Sequence, residues 1–427
     1  MQSFFTPDQL ADPDIATSEA VIRKCVHCGF CLATCPTYVL LGDESDSPRG
    51  RIYMIKDMLE GAKKPTAEVV KHVDRCLSCL ACETTCPSGV SYRRLIDHGR
   101  RHIEEHYDRP WPQKALRTLL AWVLPHRVRF SAALALGRLA APVTPRTSLA
   151  PSLVALLDLA ARRLGTPSRK PGKPHIENPR GRVAMLRGCA EPVLSPQIQA
   201  AAERLLALAG YEVVRVSGEG CCGALTHHLG QDAAALTMAR RNIDAWCAQL
   251  DLGLTAIVVT ASGCGSVIAD YGHLLRSDPL YAAKAARVSA HVQDIIAFFD
   301  QIDLPPPRDP PGGIVAYQGA CSLQHGLGVR TAPQRLLAEA GFTVRLPVEA
   351  HLCCGSAGTY NITQPVLAGQ LRARKLNALR ATGGAIIASG NIGCIAQLSG
   401  EVGLSVVHTV ELLDWAHGGP KPISLPS

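Results

Sequence analysis

The sequence predicts an α+β multidomain chain: a mainly helical domain toward the N-terminus, then two repeated α/β domains built on parallel sheets. Three observations predict it. The motif C-x2-C-x2-C-x3-C-P occurs twice between Cys25 and Pro87. A second pattern, one cysteine followed 32 residues later by Cys-Cys-Gly and then by another cysteine, also occurs twice further along. Around each copy of that second pattern, short β-branched runs alternate with helical periodicity, as in βαβ units.

The 427 residues allow about three domains at ~150 residues each. With 47% hydrophobic and 19% charged residues, the composition excludes a disordered tail protein and a polytopic membrane protein. The 17 cysteines are the unusual feature. Met1 to Ala20 shows no basic stretch leading into an apolar one, so no secretory signal is expected to carry these cysteines to an oxidising compartment. They are expected as thiols or metal ligands in the cytoplasm. No run of about 18 apolar residues occurs, which excludes an ordinary transmembrane helix and leaves peripheral attachment, on the inner face of the membrane, as the expected membrane contact.

In the first cysteine block, Cys25, Cys28, Cys31 and Cys35 spell CVHCGFCLATCP, and Cys76, Cys79, Cys82 and Cys86 spell CLSCLACETTCP. Three thiolates at spacing three wrap one corner of a cubane, and the fourth, before a redirecting proline, reaches the other cluster. Two [4Fe-4S] clusters are therefore expected, one on Cys25, Cys28, Cys31 and Cys86, the other on Cys76, Cys79, Cys82 and Cys35. Small residues at Gly29, Ala33, Ser78 and Ala81 leave room for them. Two structural zinc sites are the rival reading, but zinc pairs two separated C-x2-C knuckles and needs only four ligands. Between the motifs, Asp46 to Gly61 reads as a turn and a helix with Ile52, Ile55, Met58 and Leu59 on one face. His27 and Glu83, beside cluster cysteines, read as ordinary surface groups, with tuning of the clusters as the alternative. The whole is a ferredoxin-type module, expected over residues 1–110.

From Pro87 through Gly188, 102 residues contain no cysteine. Arg101 to Arg182 holds 15 Lys and Arg against 5 Asp and Glu, a net +10 in a chain of net +8. Its apolar stretches, Ala115–Leu124, Ser131–Ala141 and Leu153–Leu164, carry arginines at helical intervals, and Thr166–Arg180 reads as an exposed Pro-rich linker. Residues 111–180 are expected to form these basic amphipathic helices and the linker. An anionic membrane surface or an acidic partner would suit them, and so would water; nucleic acid is excluded as a partner by the 5% aromatic content and the absence of any recognition motif.

In the second half, Cys189, Cys221, Cys222 and Cys264 repeat as Cys321, Cys353, Cys354 and Cys394. RVAML (Arg182–Leu186), EVVRV (Glu212–Val216) and AIVVT (Ala256–Thr260) are the expected strands of the first copy. IVAY (Ile314–Tyr317), TVRL (Thr343–Leu346) and AIIAS (Ala385–Ser389) are those of the second. Helices are expected over Ala200–Leu208 and Pro333–Ala340, each closed by a glycine. The domains are thus expected at 181–305 and 306–427, Rossmann-like, with every repeated cysteine past the carboxyl end of a strand. Four cysteines suffice for one further [4Fe-4S] cluster per half; a redox dithiol and cysteines that merely pack are the other readings. Cys247 has no repeat partner and is expected in the core. GEGCCG (Gly218–Gly223) matches a dinucleotide fingerprint, but the equivalent AHLCCG (Ala350–Gly355) keeps only Cys-Cys-Gly, so the shared requirement is for cysteines.

Two interleaved ferredoxin motifs followed by two CCG repeats resemble the family of iron-sulfur subunits of glycolate oxidase, anaerobic glycerol-3-phosphate dehydrogenase and the heterodisulfide reductases. The glycolate oxidase members are most similar, through CVHCGFCLATCPTYVLLGDESDSPRGRIYMIK, RCLSCLACETTCPSGV, RNIDAW, TASGCG, HLCCGSAGTY and NIGC. The resemblance implies a subunit that receives electrons from an FAD-bearing partner oxidising a 2-hydroxy acid and passes them toward a membrane quinone, with no catalytic residue of its own. Heterodisulfide-reductase repeats often close with C-x2-C; Ala261 and Asn391 stand here instead, which removes the fifth cysteine from each set. Rival functions are a thiol/disulfide or quinone reductase housed in the CCG half, a glycerol-3-phosphate dehydrogenase subunit, and a scaffold whose clusters only stabilise folding.

Overall fold

The computed structural model describes residues 1–142, 144, 149–162, 165 and 176–426. Arg146, the end of the Leu153–Leu164 stretch and most of the Thr166–Arg180 linker lie outside the described residues.

The N-terminal region is helical. Its principal helices are α1 (Pro13–Lys24), α2 (Pro48–Glu60), α3 (Ala67–Asp74) and α4 (Tyr92–His106). Helix α2 begins where the sequence provides a start: Ser47 Oγ accepts from the Gly50 amide, and Pro48, which has no amide hydrogen to satisfy, takes the first position. Ile52, Ile55, Met58 and Leu59 are all buried, packing with Ile22, Val73, Leu95, Ile96 and Ile103 into one core that includes Cys25, Cys76 and Cys82. The helical core therefore holds the cysteine loops from beneath.

Three helices follow, α5 (Trp111–Val123), α6 (Arg127–Ala140) and α7 (Pro151–Ala161). Their arginines are placed differently from the sequence expectation. Arg109 pairs with Asp74 at 2.6 Å, Arg117 donates to the Leu229 carbonyl at 2.5 Å, Arg127 to Gly188 at 2.7 Å and Arg138 to Ala160 at 3.0 Å, while Arg162 reaches the carbonyl of Ala396. These cations satisfy carbonyls and carboxylates of the protein itself. The outward row of α6, by contrast, is apolar: Val128, Ala132, Ala135, Leu136 and Leu139 are exposed. Among the described residues no single helix is long and apolar enough to cross a membrane; α5 and α6 would reach that length only as a pair, and they are bent by 119°.

The second half contains two parallel four-stranded sheets. Strands β1 (Gly181–Met185), β2 (Tyr211–Val214), β3 (Ala256–Val259) and β4 (Val292–Asp294) lie in the order β2-β1-β3-β4; β5 (Ile314–Tyr317), β6 (Thr343–Arg345), β7 (Ile386–Ser389) and β8 (Ser405–His408) lie in the order β6-β5-β7-β8. Corresponding registers repeat, Val183 opposite Ala256 in one sheet and Val315 opposite Ile386 in the other. The chain is thus mixed α/β and multidomain, as the sequence predicts. Strands β4 and β8 were not anticipated, being only three and four residues long with polar residues among them.

The covering helices are α8 (Gln197–Leu208), α9 (Ala224–His228), α10 (Asp232–Leu250), α11 (Ser262–Ile268), α12 (Ala332–Glu339), α13 (Pro365–Arg380), α14 (Ile392–Leu398) and α15 (Thr409–Ala416). One apolar core runs through both halves, joining Val183, Leu205 and Phe299 to Val315, Leu337 and Leu413. Arg204 on α8 closes the seam on Asp414 of α15 at 2.5 Å. The helical region is held to the first sheet domain by the two-pronged pair of Arg94 with Asp270, at 2.5 and 2.6 Å, and by Asp14, which takes Arg101 and Arg276. Cys247 is buried in the α10 core, where it was expected.

Candidate metal centres

Two small cavities sit among the N-terminal cysteines. Cys25, Cys28, Cys31 and Cys86 line one of about 30 Å³; Cys35, Cys76 and Cys79 line another of about 20 Å³; Cys82 borders both. The last cysteine of each motif thus lies with the first three of the other. The loops that place them share an uncommon backbone. His27 and Gly29 in the first motif, and Ser78 and Leu80 at the same positions of the second, all have φ between 50° and 84°. Left-handed backbone costs a non-glycine residue roughly 1 kcal/mol or more, and it turns amides toward one centre in the nests that hold anionic clusters.

The donor set fits iron-sulfur clusters on chemical grounds. Burial, then the neighbouring Cys35 and Cys25, pushes the Cys31 thiol up to about 11, and burial pushes Cys79 and Cys82 well up. Such thiols release their protons readily only in exchange for a metal cation, so loading with iron must release protons. An arginine lines each cavity, Arg49 the first, where it is part-exposed and paired with Glu44, and Arg51 the second. Arg51, only 1% exposed, lies against the second: it donates to the His72 carbonyl at 2.7 Å, Thr37 Oγ1 at 3.0 Å, Asp46 at 3.2 Å and, at 3.9 Å, to Cys35 Sγ. Tyr92, also buried, donates to Cys76 Sγ at 3.8 Å. Sequence reasoning missed both, because nothing in a helix's spacing marks an arginine as inward-facing. It also misplaced Glu83, which is no surface group: its carboxylate accepts from the Arg93 amide at 2.7 Å and so caps α4.

The CCG cysteines gather into two quartets at the carboxyl edges of the sheets, where α/β folds bind ligands. Cys189 Sγ lies 3.5 Å from Cys221 Sγ, and Cys222 and Cys264 line the same cavity beside them. In the second sheet Cys321 lies 3.8 Å from Cys353, and Cys354 and Cys394 line the same cavity beside them. The Gly223 and Gly355 amides donate equivalently to Cys221 and Cys353, both at 3.5 Å. Both glycines have φ above 80°, and a Cβ on either would strike a helix backbone within 3 Å, the Ala235 carbonyl of α10 for Gly223 and the Ala368 carbonyl of α13 for Gly355. That is why each copy reads Cys-Cys-Gly.

All eight of these sulfurs border one cavity of about 220 Å³ at the junction of the three domains. Leu77, Ser78 and Leu80 from the second ferredoxin loop complete its wall, and Cys79 packs in one apolar cluster with Cys353. Leu124, Phe130 and Leu159 cap it from α5 to α7. The polar wall is ionic: His227 bonds Asp97 at 3.2 Å and Asp232 at 2.8 Å. Burial alone would lower its pKa; the two carboxylates overcome it and raise His227 to about 10. Beside it, burial pushes His228 down to about 3.

This pair gives a pH prediction. A folded pKa raised above the ordinary 6.5 stabilises fully below about pH 6.5, and the stability is lost as pH rises through about 10. The melting temperature of the wild-type protein is expected to fall between pH 7 and 9.5, and that of His227→Gln to fall less steeply; equal slopes would contradict the assignment.

Comparison with known proteins places this geometry. A 4Fe-4S dicluster domain model matches residues 21–90, and a cysteine-rich (CCG) domain model matches 183–269 and again 315–399. The chain is 41% identical over 416 residues to the glycolate oxidase iron-sulfur subunit of Escherichia coli (strain K12), covering 97% of this chain and 99% of that protein. It is 32% identical over 431 residues to the probable glycolate oxidase iron-sulfur subunit of Bacillus subtilis (strain 168), covering 94% and 95%. A lactate utilization protein A from Exiguobacterium sp. matches at 24% identity over 54% of this chain. Among solved structures, a hypothetical protein from Helicobacter pylori shares the fold, with a TM-score of 0.56 at 9% identity over 97% of this chain and 74% of its own. By its dicluster domain, its paired CCG domains and its end-to-end similarity, the chain belongs to the family of glycolate oxidase iron-sulfur subunits.

Proposed function

We propose that this chain is the electron-transfer subunit of a flavin-dependent 2-hydroxy-acid oxidase of the glycolate type, carrying electrons from FAD on a partner subunit toward a membrane quinone. The observation that carries it is an unbroken series of cysteine sets. Cys28 is exposed at one end, between Val26 and Phe30, each about two-thirds exposed, a surface suited to a flavoprotein. Cys82 borders both ferredoxin cavities, Cys79 packs with Cys353, and the two CCG quartets share a cavity. When bound, [4Fe-4S] clusters exchange single electrons, which suits the stepwise reoxidation of a two-electron flavin. Cys25, Cys28, Cys31 and Cys86 would hold the first, and Cys35, Cys76, Cys79 and Cys82 the second.

The quartets at Cys189, Cys221, Cys222 and Cys264 and at Cys321, Cys353, Cys354 and Cys394 would each hold one more. By ligand count the anaerobically loaded full chain is expected to carry about sixteen irons, and Cys222→Ser with Cys354→Ser to bring it to about eight. Iron content unmoved by that double substitution would leave the quartets as dithiol or packing cysteines. The shared cavity favours one second reading, in which the CCG half itself reduces a disulfide; disulfide reduction by the loaded chain alone would support it.

A further inference from the structure

We propose that the acceptor quinone binds in an open groove beside Cys221, at the corner between α5 and α6, with its tail along the apolar row of α6 lying on the bilayer. This rests on the reading that the first CCG quartet carries electrons and that a quinone receives them. The groove, about 390 Å³, runs from Val128 and Arg129 past His126 and Gly188 to Glu219 and Cys221. It meets the inner cavity only at Cys221, which lines both: Leu124 and Phe130 of the same corner face the quartets, while Pro125 to Arg129 face the groove.

Three features select a lipid-borne ligand. Val128 at the groove mouth begins the row Val128, Ala132, Ala135, Leu136 and Leu139, in which Val128 is 83% exposed, Leu136 69% and Leu139 76%. At 3.6 residues per turn, Arg129 and Arg138 flank that row on opposite sides; each uses one guanidinium N–H on a carbonyl of the protein, Trp122 and Ala160, and keeps its other donors at the edge of the apolar row, where anionic headgroups would lie. Trp122, more than half exposed, stacks under the Arg129 guanidinium at 4.3 Å, and Trp111 is 79% exposed, the residues expected at a membrane interface. The groove also lies at the right end of the series, beside the quartet more remote from Cys79. There each quinone would take two electrons, one at a time, and two protons from water in the open groove, leaving as quinol.

The test uses iron-loaded full-length protein, reduced anaerobically with dithionite. Cluster reoxidation is followed with decylubiquinone in solution, with ubiquinone in phosphatidylcholine/phosphatidylglycerol vesicles, and with ferricyanide; vesicle co-sedimentation is measured alongside. Val128→Trp, which fills the groove from an exposed position, is expected to slow both quinone reactions at least tenfold and leave ferricyanide unchanged. Leu136→Gln with Leu139→Gln is expected to weaken co-sedimentation and slow only the vesicle reaction. A wild type that reduces quinone and a Val128→Trp variant that does so equally well would overturn the groove while keeping the quinone acceptor. A wild type oxidised by ferricyanide and by neither quinone would remove the acceptor reading itself. Loss of flavoprotein co-purification by the Leu136/Leu139 variant, with vesicle binding intact, would assign the row to the subunit interface instead.

Discussion

Cys35→Ser is expected to abolish the cluster built on Cys76, Cys79 and Cys82, 40 or more residues away in sequence, and to spare the one nearest to it in the chain. Cys35 and those three cysteines border one cavity, and Cys25, Cys28 and Cys31 border another with Cys86. Cys86→Ser should do the reverse. Each variant should lose about four irons and one of the two ferredoxin cubane EPR signals, and with the ferredoxin sets in series, as proposed, electron delivery to any acceptor should fall by orders of magnitude. Serine keeps the size of the side chain, so a surviving fold with the wrong cluster missing is a real possible result, and it would reverse the assignment.

The second large effect belongs to Arg51. Its guanidinium and Arg75 balance Asp46, which is fully buried. Arg51→Leu leaves that carboxylate short of a partner in a buried site, a loss of ~3–5 kcal/mol. The variant should assemble poorly and melt well below the wild type. Arg51→Lys keeps the charge but cannot donate to His72, Thr37 and Cys35 together. It should load iron and report the loss of the hydrogen bond to Cys35 Sγ at constant charge: one charge-assisted hydrogen bond of ~1.5 kcal/mol corresponds to roughly 60 mV in a one-electron couple. The potential of the Cys35 cluster should drop by about that much, with the other cluster unmoved. An unchanged potential in Arg51→Lys would show that Arg51 is structural only.

Much of this was legible before any coordinates. Thiol spacing specified the two interleaved sets, since few other arrangements use a fourth cysteine before proline, and the exact recurrence of the 32-residue interval implied two copies of one sheet domain. The pairing across copies was less legible. Nothing in the local pattern says that both quartets open onto one cavity, because that depends on the shared core of Val183, Phe299, Val315 and Leu413. The Asp97–His227 pair was invisible for the same reason: its members are 130 residues apart and meet only when the domains dock. Net charge along the basic segment does not say which way each cation points. Arg109, Arg117 and Arg127 are spent on internal carboxylates and carbonyls, whereas the surface that stands out on α6 is apolar, and hydrophobic periodicity does not distinguish the two faces of a helix apolar on both.

The most direct test of electron carriage is freeze-quench EPR of the co-purified complex, loaded with iron and mixed anaerobically with glycolate. Reduced-cluster signals assigned by the Cys35→Ser and Cys86→Ser variants should appear no later than one turnover and decay when quinone is supplied. Reduction of the flavin with the clusters of this chain still oxidised after many turnovers would contradict the account.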